Sequence, residues 1–175
     1  MTRPAYTDRV LALDPISRGL GIVIFESPSL PIEWGIKEVR DRKEEHCLAL
    51  VADLLDRFQP DIVVMEDMEA LTCRRCERVR SLVHAISTPA ASRHVPTALI
   101  TRDQVNATFG VSTKHQVATL IASRLPELAS LLPPFRKPWM SEDPRMSLFD
   151  AAAFALAYYH AKEQWIKLKF PPIEA

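Results

Sequence analysis

The sequence lacks an excess of either charge. Lys plus Arg and Asp plus Glu number 22 each among 175 residues, so the formal net charge is zero. A protein whose whole surface grips nucleic acid carries a strong basic excess, so that class is disfavoured, while a local basic patch is still allowed. No apolar run approaches the length of a membrane span. The opening MTRPAYTDR has no apolar stretch of the kind that directs secretion. Cysteine is scarce and odd in number, three in all, which argues against a disulfide framework and for a reduced, cytoplasmic setting. There is no internal repeat and no low-complexity tract. The length predicts one domain, residues 1–175, with a sizeable core.

What is present is organised around RVLALDPISRGLGIVIFE, Arg9 to Glu26. It reads as two strands. Val10 to Leu13 is apolar and stops at Asp14-Pro15, and Leu20 to Phe25 suits a strand covered on both faces. Gly19 and Gly21 permit a turn and close packing between them. Asp14 is the polar exception. A carboxylate at the end of a buried strand either closes an Asx-type turn or is aimed at something. Ile32 to Val39 predicts a third strand, completing an antiparallel meander.

The helical spacing of Leu48, Val51, Leu54, Leu55 and Phe58 predicts a helix that opens in the charged stretch from Arg40 and stops at Gln59-Pro60. Asp61 to Met65 reads as a short buried strand ended by Glu66, so the helix is a crossover between parallel strands. A second helix is expected over Thr72 to Ser92, bent or broken at Pro89. Then follow a strand at Thr97 to Thr101, a short helix at Gln104 to Phe109, and a helix from Lys114 to Leu125 capped by Ser112-Thr113. Pro133, Pro134, Pro138 and Pro144 mark a loop. A final Ala-rich helix begins near Ser147.

Three acids occupy element ends: Asp14 after the first strand, Glu66 after the fourth, and Asp150 in the first turn of the last helix. Each has a plain structural reading, as a turn closer, a solvated strand end, or part of a capping box with Ser147. If the first and fourth strands are neighbours and the last helix crosses their ends, the three carboxylates meet. Carboxylates held together need a cation, and hard oxygen donors select Mg²⁺ or Mn²⁺. Two such ions about 4 Å apart can drive phosphodiester hydrolysis.

In this order the motifs LALDPISRGLGIVIF, DIVVMEDM, STKHQVATLIASRL and FDAAAFALAYYH resemble those of the RuvC family of Holliday-junction endonucleases, over roughly residues 9 to 161. The resemblance implies an α/β fold of the RNase H-like type: a five-stranded mixed sheet, three antiparallel strands followed by parallel ones, with helices on both faces. It implies a Mg²⁺-dependent nuclease, with Mn²⁺ as substitute, acting on branched DNA in recombination and repair as a homodimer. Asp14, Glu66 and Asp150 would be metal ligands, and Lys114 a phosphate-binding or catalytic-support residue. The family usually has a further acid or His three residues before the helix Asp. Ser147 stands there, which leaves Ser147, Asp143 or Glu142 as the candidate fourth ligand, and Ile16 replaces a common Gly.

Arg74, Arg75, Arg78 and Arg80 form a basic run, read as a solvated helix face or, near an active site, as phosphate contacts. With Lys114 and His115, and Arg136-Lys137, it is the expected nucleic-acid surface. Cys73 and Cys76 form a lone CxxC, read as incidental helix cysteines because zinc would need Cys47 and His84 as well. Leu82, Val83 and Ile86 are the candidate dimer face, and Trp165 to Phe170 reads as amphipathic packing or a dimer contact. Two other functions are open: an RNase H-like nuclease maturing structured RNA such as ribosomal precursors, and a catalytically weakened nucleic-acid-binding module.

Overall fold

The structure is a computed structural model that describes residues 7–39, 41–71 and 73–169, with side chains up to residue 164. Three strands, β1 (Val10–Ile16), β2 (Gly19–Ser27) and β3 (Leu30–Glu38), form the antiparallel meander. Helix α1 (Lys43–Phe58) crosses to β4 (Ile62–Glu66), which pairs in parallel with β1. Helix α2 (Glu77–Ala91) then leads to β5 (Thr97–Ile100), parallel to β4. The sheet order is β3-β2-β1-β4-β5. After it come α3 (Arg102–Phe109), α4 (Lys114–Arg124), the short α5 (Pro126–Ala129) and α6 (Met146–Lys169). The α/β architecture follows the expectation, with helices on both faces.

Alternation along the strands splits the core in two. Val10 and Ala12 of β1 and Val64 of β4 face one layer, with α3, α4, α5 and α6. Leu11 and Leu13 of β1 and Val63 and Met65 of β4 face the other, with α1 and α2. Residues 146–155 of α6 are all buried, because this helix lies between the sheet and the helices α3 and α4. A helix apolar on every side suits that position. Lys43, at the start of α1, donates to the carbonyl of Ile16 and ties the crossover to the end of β1.

Several expectations are corrected. β1 does not stop at Asp14-Pro15. It runs on to Ile16, with Asp14 paired to Gly21 and Pro15 to Leu20, so Asp14 closes no turn. Pro15 is tolerated because the registered pairing with β4 ends earlier, at Ala12. Helix α2 starts at Glu77, after the cysteine pair, and Thr72 lies outside the described residues. It continues past Pro89 to Ala91, since a proline in the last turn disturbs little beyond it. Leu82, Val83 and Ile86 are buried in the chain's own core against α1 and the sheet, so they offer no dimer face. The side chains from Trp165 onward lie outside the described ones. Among the described residues no helix is long and apolar enough to cross a membrane.

Candidate active site

The strand period places two of the acids. Ala12 and Val64 are neighbours across the parallel pair. Asp14 and Glu66 each lie two residues further on, so both turn towards the face that α6 covers. Asp150, in the first turns of α6, comes down from that cover. All three are buried among the described residues, Asp14 completely.

Three cations meet them. The Arg75 guanidinium donates through Nη2 to Asp14 Oδ1 at 2.6 Å and through Nε to Glu66 Oε2 at 2.9 Å, and lies 3.7 Å from Asp150 Oδ2. Arg102 donates to Asp150 Oδ1 at 2.8 Å and stands 3.7 Å from Glu66 Oε2. Its guanidinium carbon sits 4.8 Å from the centre of the Phe154 ring. Lys114 Nζ is 2.8 Å from Asp150 Oδ2 and 3.1 Å from Glu142 Oε1.

Arg102 and Lys114 arrive by the same device. Thr101 and Thr113 are N-caps, each in a capping box with Gln104 or Gln116, and the residue after each cap is the cation. A positive charge at a helix N-terminus opposes the helix dipole. Here Asp150 compensates both. No motif singles out Arg102. The available signal was a cation in that unfavourable position directly after a strand.

Burial pushes the Asp14 carboxyl up to about 7, against the pull of Arg75. Burial also acts on Asp150, but Lys114 and Arg102 outweigh it and hold that carboxyl below its usual range. Desolvation works against the charge of Lys114, yet Asp150 raises it overall. Asp14 Oδ2 is buried and has no hydrogen-bond partner among the described residues.

The other candidates are placed less centrally. Ser147 is the second residue of α6, not its cap, and its hydroxyl donates to the Pro144 carbonyl at 2.8 Å. Asp143 is engaged by Arg145, at 2.7 Å, and Glu142 reaches the cluster only through Lys114. Arg74 and Arg78 are exposed, and the His115 ring meets Phe135 edge-on at 5.3 Å. Arg80 is turned back onto the loop, with its guanidinium donating to the carbonyls of Met68, Cys73 and Arg75. Cys73 and Cys76 precede α2 and do not lie on it, while Cys47 is buried on α1, and all three are free thiols.

Three buried carboxylates are suitable donors for Mg²⁺ or Mn²⁺, and the partnerless Asp14 Oδ2 is an oxygen such an ion would satisfy. As they stand, no three Asp, Glu, His or Cys side chains among the described residues could hold a metal ion. The guanidinium of Arg75 bridges them instead. The donor chemistry fits such an ion; the present spacing of the acids does not by itself hold one.

No protein-family model matches the sequence, and no curated protein matches it. Solved structures do. The chain is similar to Thermus thermophilus RuvC, with a TM-score of 0.63 and 22% identity over 89% of this chain and 96% of that one. The chain has the RuvC fold. The RuvC fold is an RNase H-like fold, as the motifs implied. A second structure of T. thermophilus RuvC, in complex with Holliday junction substrate, is similar with a TM-score of 0.65, at 22% identity over 89% of this chain and 95% of that one. The chain is also similar to the yeast mitochondrial Holliday junction resolvase, with a TM-score of 0.62 and 14% identity over 92% of this chain and 82% of that one.

Proposed function

We propose that the chain is a single-domain, metal-dependent endonuclease of RuvC type that hydrolyses phosphodiester bonds in branched DNA, Holliday junctions foremost. One observation carries this reading: Asp14, Glu66 and Asp150 converge, buried, where β1, β4 and α6 of a RuvC-like fold meet. Asp14, Glu66 and Asp150 would hold Mg²⁺, or Mn²⁺ in its place, with Asp143, Glu142 or Ser147 as the source of a further oxygen. When bound there, such an ion acts as a Lewis acid that favours attack by water and stabilises the departing oxygen. Lys114, beside Asp150, is placed to bind a phosphate oxygen, and Arg102 fixes the Asp150 carboxylate. Arg74, Arg78, His115 and Arg136-Lys137 supply charge for the DNA arms. A four-way junction has two equivalent strands to cut, so a homodimer suits the substrate. Three free thiols are consistent with a cytoplasmic setting.

A second reading, a nucleic-acid-binding module with weakened catalysis, is favoured by one specific observation: Arg75, Arg102 and Lys114 already neutralise the three acids. Cleavage assays on four-way junction, flap, duplex and structured RNA, with Mg²⁺ and with Mn²⁺, decide among the readings. Junction cutting that is lost in Asp14→Asn, Glu66→Gln and Asp150→Asn is the expected result. Binding without cleavage under any condition sinks the nuclease reading, and cleavage confined to RNA redirects it to RNA processing. Light scattering with and without junction tests the dimer, and a strict monomer in both removes paired cutting.

A further inference from the structure

Arg75 differs from the other two cations of the cluster. Among the described residues it alone lies within 4 Å of all three carboxylates, at 2.6, 2.9 and 3.7 Å. Its side chain keeps 16% exposure beside acids that keep 5% or less. It stands on 73–76, a stretch that is neither helix nor strand. The backbone there is fixed, because Arg80 donates to the carbonyls of Arg75 at 3.1 Å, of Cys73 at 3.3 Å and of Met68 at 2.7 Å. The guanidinium can therefore leave by side-chain rotation, with the loop in place.

We propose that Arg75 is the resident counter-cation of this site, and that a divalent cation binds by displacing its guanidinium from Asp14 and Glu66. The inference rests on the metal-dependent nuclease reading above. A planar guanidinium bridging two carboxylates is a strong competitor for the same oxygens. Charge balance favours exchange over addition. With Asp14, Glu66 and Asp150 all ionised and the exposed Glu142 left to solvent, Arg75, Arg102 and Lys114 make the buried cluster neutral, and a divalent ion added to it would bury two positive charges without partners, at high cost. With Arg75 rotated out, three carboxylates face Arg102, Lys114 and the ion, which leaves one positive charge. A single phosphodiester cancels that charge. The exchange thus makes the site attractive to substrate at the moment the ion enters, and it frees a guanidinium at the rim.

The test is Mn²⁺ binding to the full chain without nucleic acid, read from the paramagnetic resonance signal of the free ion. Arg75→Gln is expected to bind Mn²⁺ at least tenfold more tightly than wild type, because it removes a competitor and a like charge together. Low millimolar guanidinium, too dilute to unfold the chain, should weaken that binding again by refilling the place. Arg74→Gln, the exposed neighbour, should leave the affinity within twofold of wild type. If Arg75→Gln does not fold, Arg75→Lys serves, since a single ammonium bridges two carboxylates poorly, and at least threefold tighter binding is expected. Binding no tighter than wild type in the variant that folds overturns the displacement. Equal tightening in Arg74→Gln overturns it too, because the effect would then be long-range charge. If wild type cuts junctions with Mn²⁺ and the Arg75 variant binds no better, the displacement fails alone. If neither protein binds Mn²⁺ and wild type cuts nothing, the nuclease reading fails with it.

Discussion

Gly21 and Ser147 meet backbone to side: a Cβ on Gly21 would lie 2.4 Å from both the carbonyl carbon and the carbonyl oxygen of Ser147. Gly21 is also the cross-strand partner of Asp14. The start of α6 thus rests on β2 beside one catalytic candidate and carries another three residues on. Gly21→Ala cannot be relieved by turning a side chain alone, since the two nearest obstacles are main chain and Ser147 Oγ follows at 2.7 Å. We expect a loss of about 1–3 kcal/mol, as for overpacked cores, measured by urea denaturation. The variant should also fail to cut DNA, because α6 must lift and take Asp150 with it. Wild-type stability in Gly21→Ala would contradict the close approach.

Asp14→Asn and Asp150→Asn should move stability in opposite directions. Repulsion among three acids alone would make both variants more stable. The cations change this. Asp150 has Arg102 and Lys114 each at 2.8 Å, and its loss leaves two cations short of a partner. A destabilisation of roughly 2 kcal/mol is expected, smaller than for a fully buried pair because Lys114 and Arg102 keep some solvent. Burial raises the Asp14 carboxyl in spite of Arg75, so Asp14→Asn should be as stable as wild type or more so at pH 8. Paired denaturation curves at one pH settle both.

The same carboxyl sets a pH dependence. Folding raises the Asp14 value from 3.8 to about 7. A raised acid favours the folded state while it is protonated. Its contribution is therefore complete below about pH 4 and is lost as pH rises through about 7. Asp150, held low, works in the opposite sense and weakens the fold only as pH falls through its own lowered range. Comparing wild type with Asp14→Asn at pH 5 and pH 8, without divalent ions, isolates the first effect. The stability difference between the two proteins should shift in favour of the variant at pH 8, and a difference that does not change with pH would exclude the raised value.

Lys114→Met should loosen the loop before α6. Lys114 Nζ joins Asp150 to Glu142, so it ties residues 131–145 to the cluster. Without it, trypsin should cut after Arg136 several-fold faster while the melting temperature falls only slightly. Unchanged proteolysis would mean that Arg145 and the Pro144 carbonyl hold the loop by themselves.

Asp14, Glu66 and Asp150 could be found in the sequence because strand alternation and crossover topology are written in apolar spacing, and an acid that interrupts such spacing at an element end stands out. The cations could not be found in that way. Arg75 belongs to a stretch with no period, and its direction depends on Arg80 holding three carbonyls. The run Arg74 to Arg80 reads as one basic surface, but tertiary structure divides it into two exposed residues, a site residue and a loop clamp. Arg102 fell between an expected strand and an expected helix whose start was placed two residues late. The apolar face of α2 was visible, but spacing alone does not say whether such a face meets its own sheet or another chain. Here it meets the sheet.

Asp14 and Glu66 stand on sheet strands, Asp14 paired with Gly21 of β2 and Glu66 with Ile100 of β5, while Arg75 and Glu142 are borne by the irregular stretches 67–71 with 73–76 and 131–145. Those stretches give the core little beyond Met68 and Pro133. Descent with modification therefore meets two very different materials in one site. Under the nuclease reading, changes in those stretches would alter which DNA shape is gripped and how Arg75 sits on the acids, at small risk to folding. Changes at Gly21, Ala12 or Val64 strike the frame itself. A lineage built on this frame can explore new substrates through its loops for a long time before it must renegotiate its sheet.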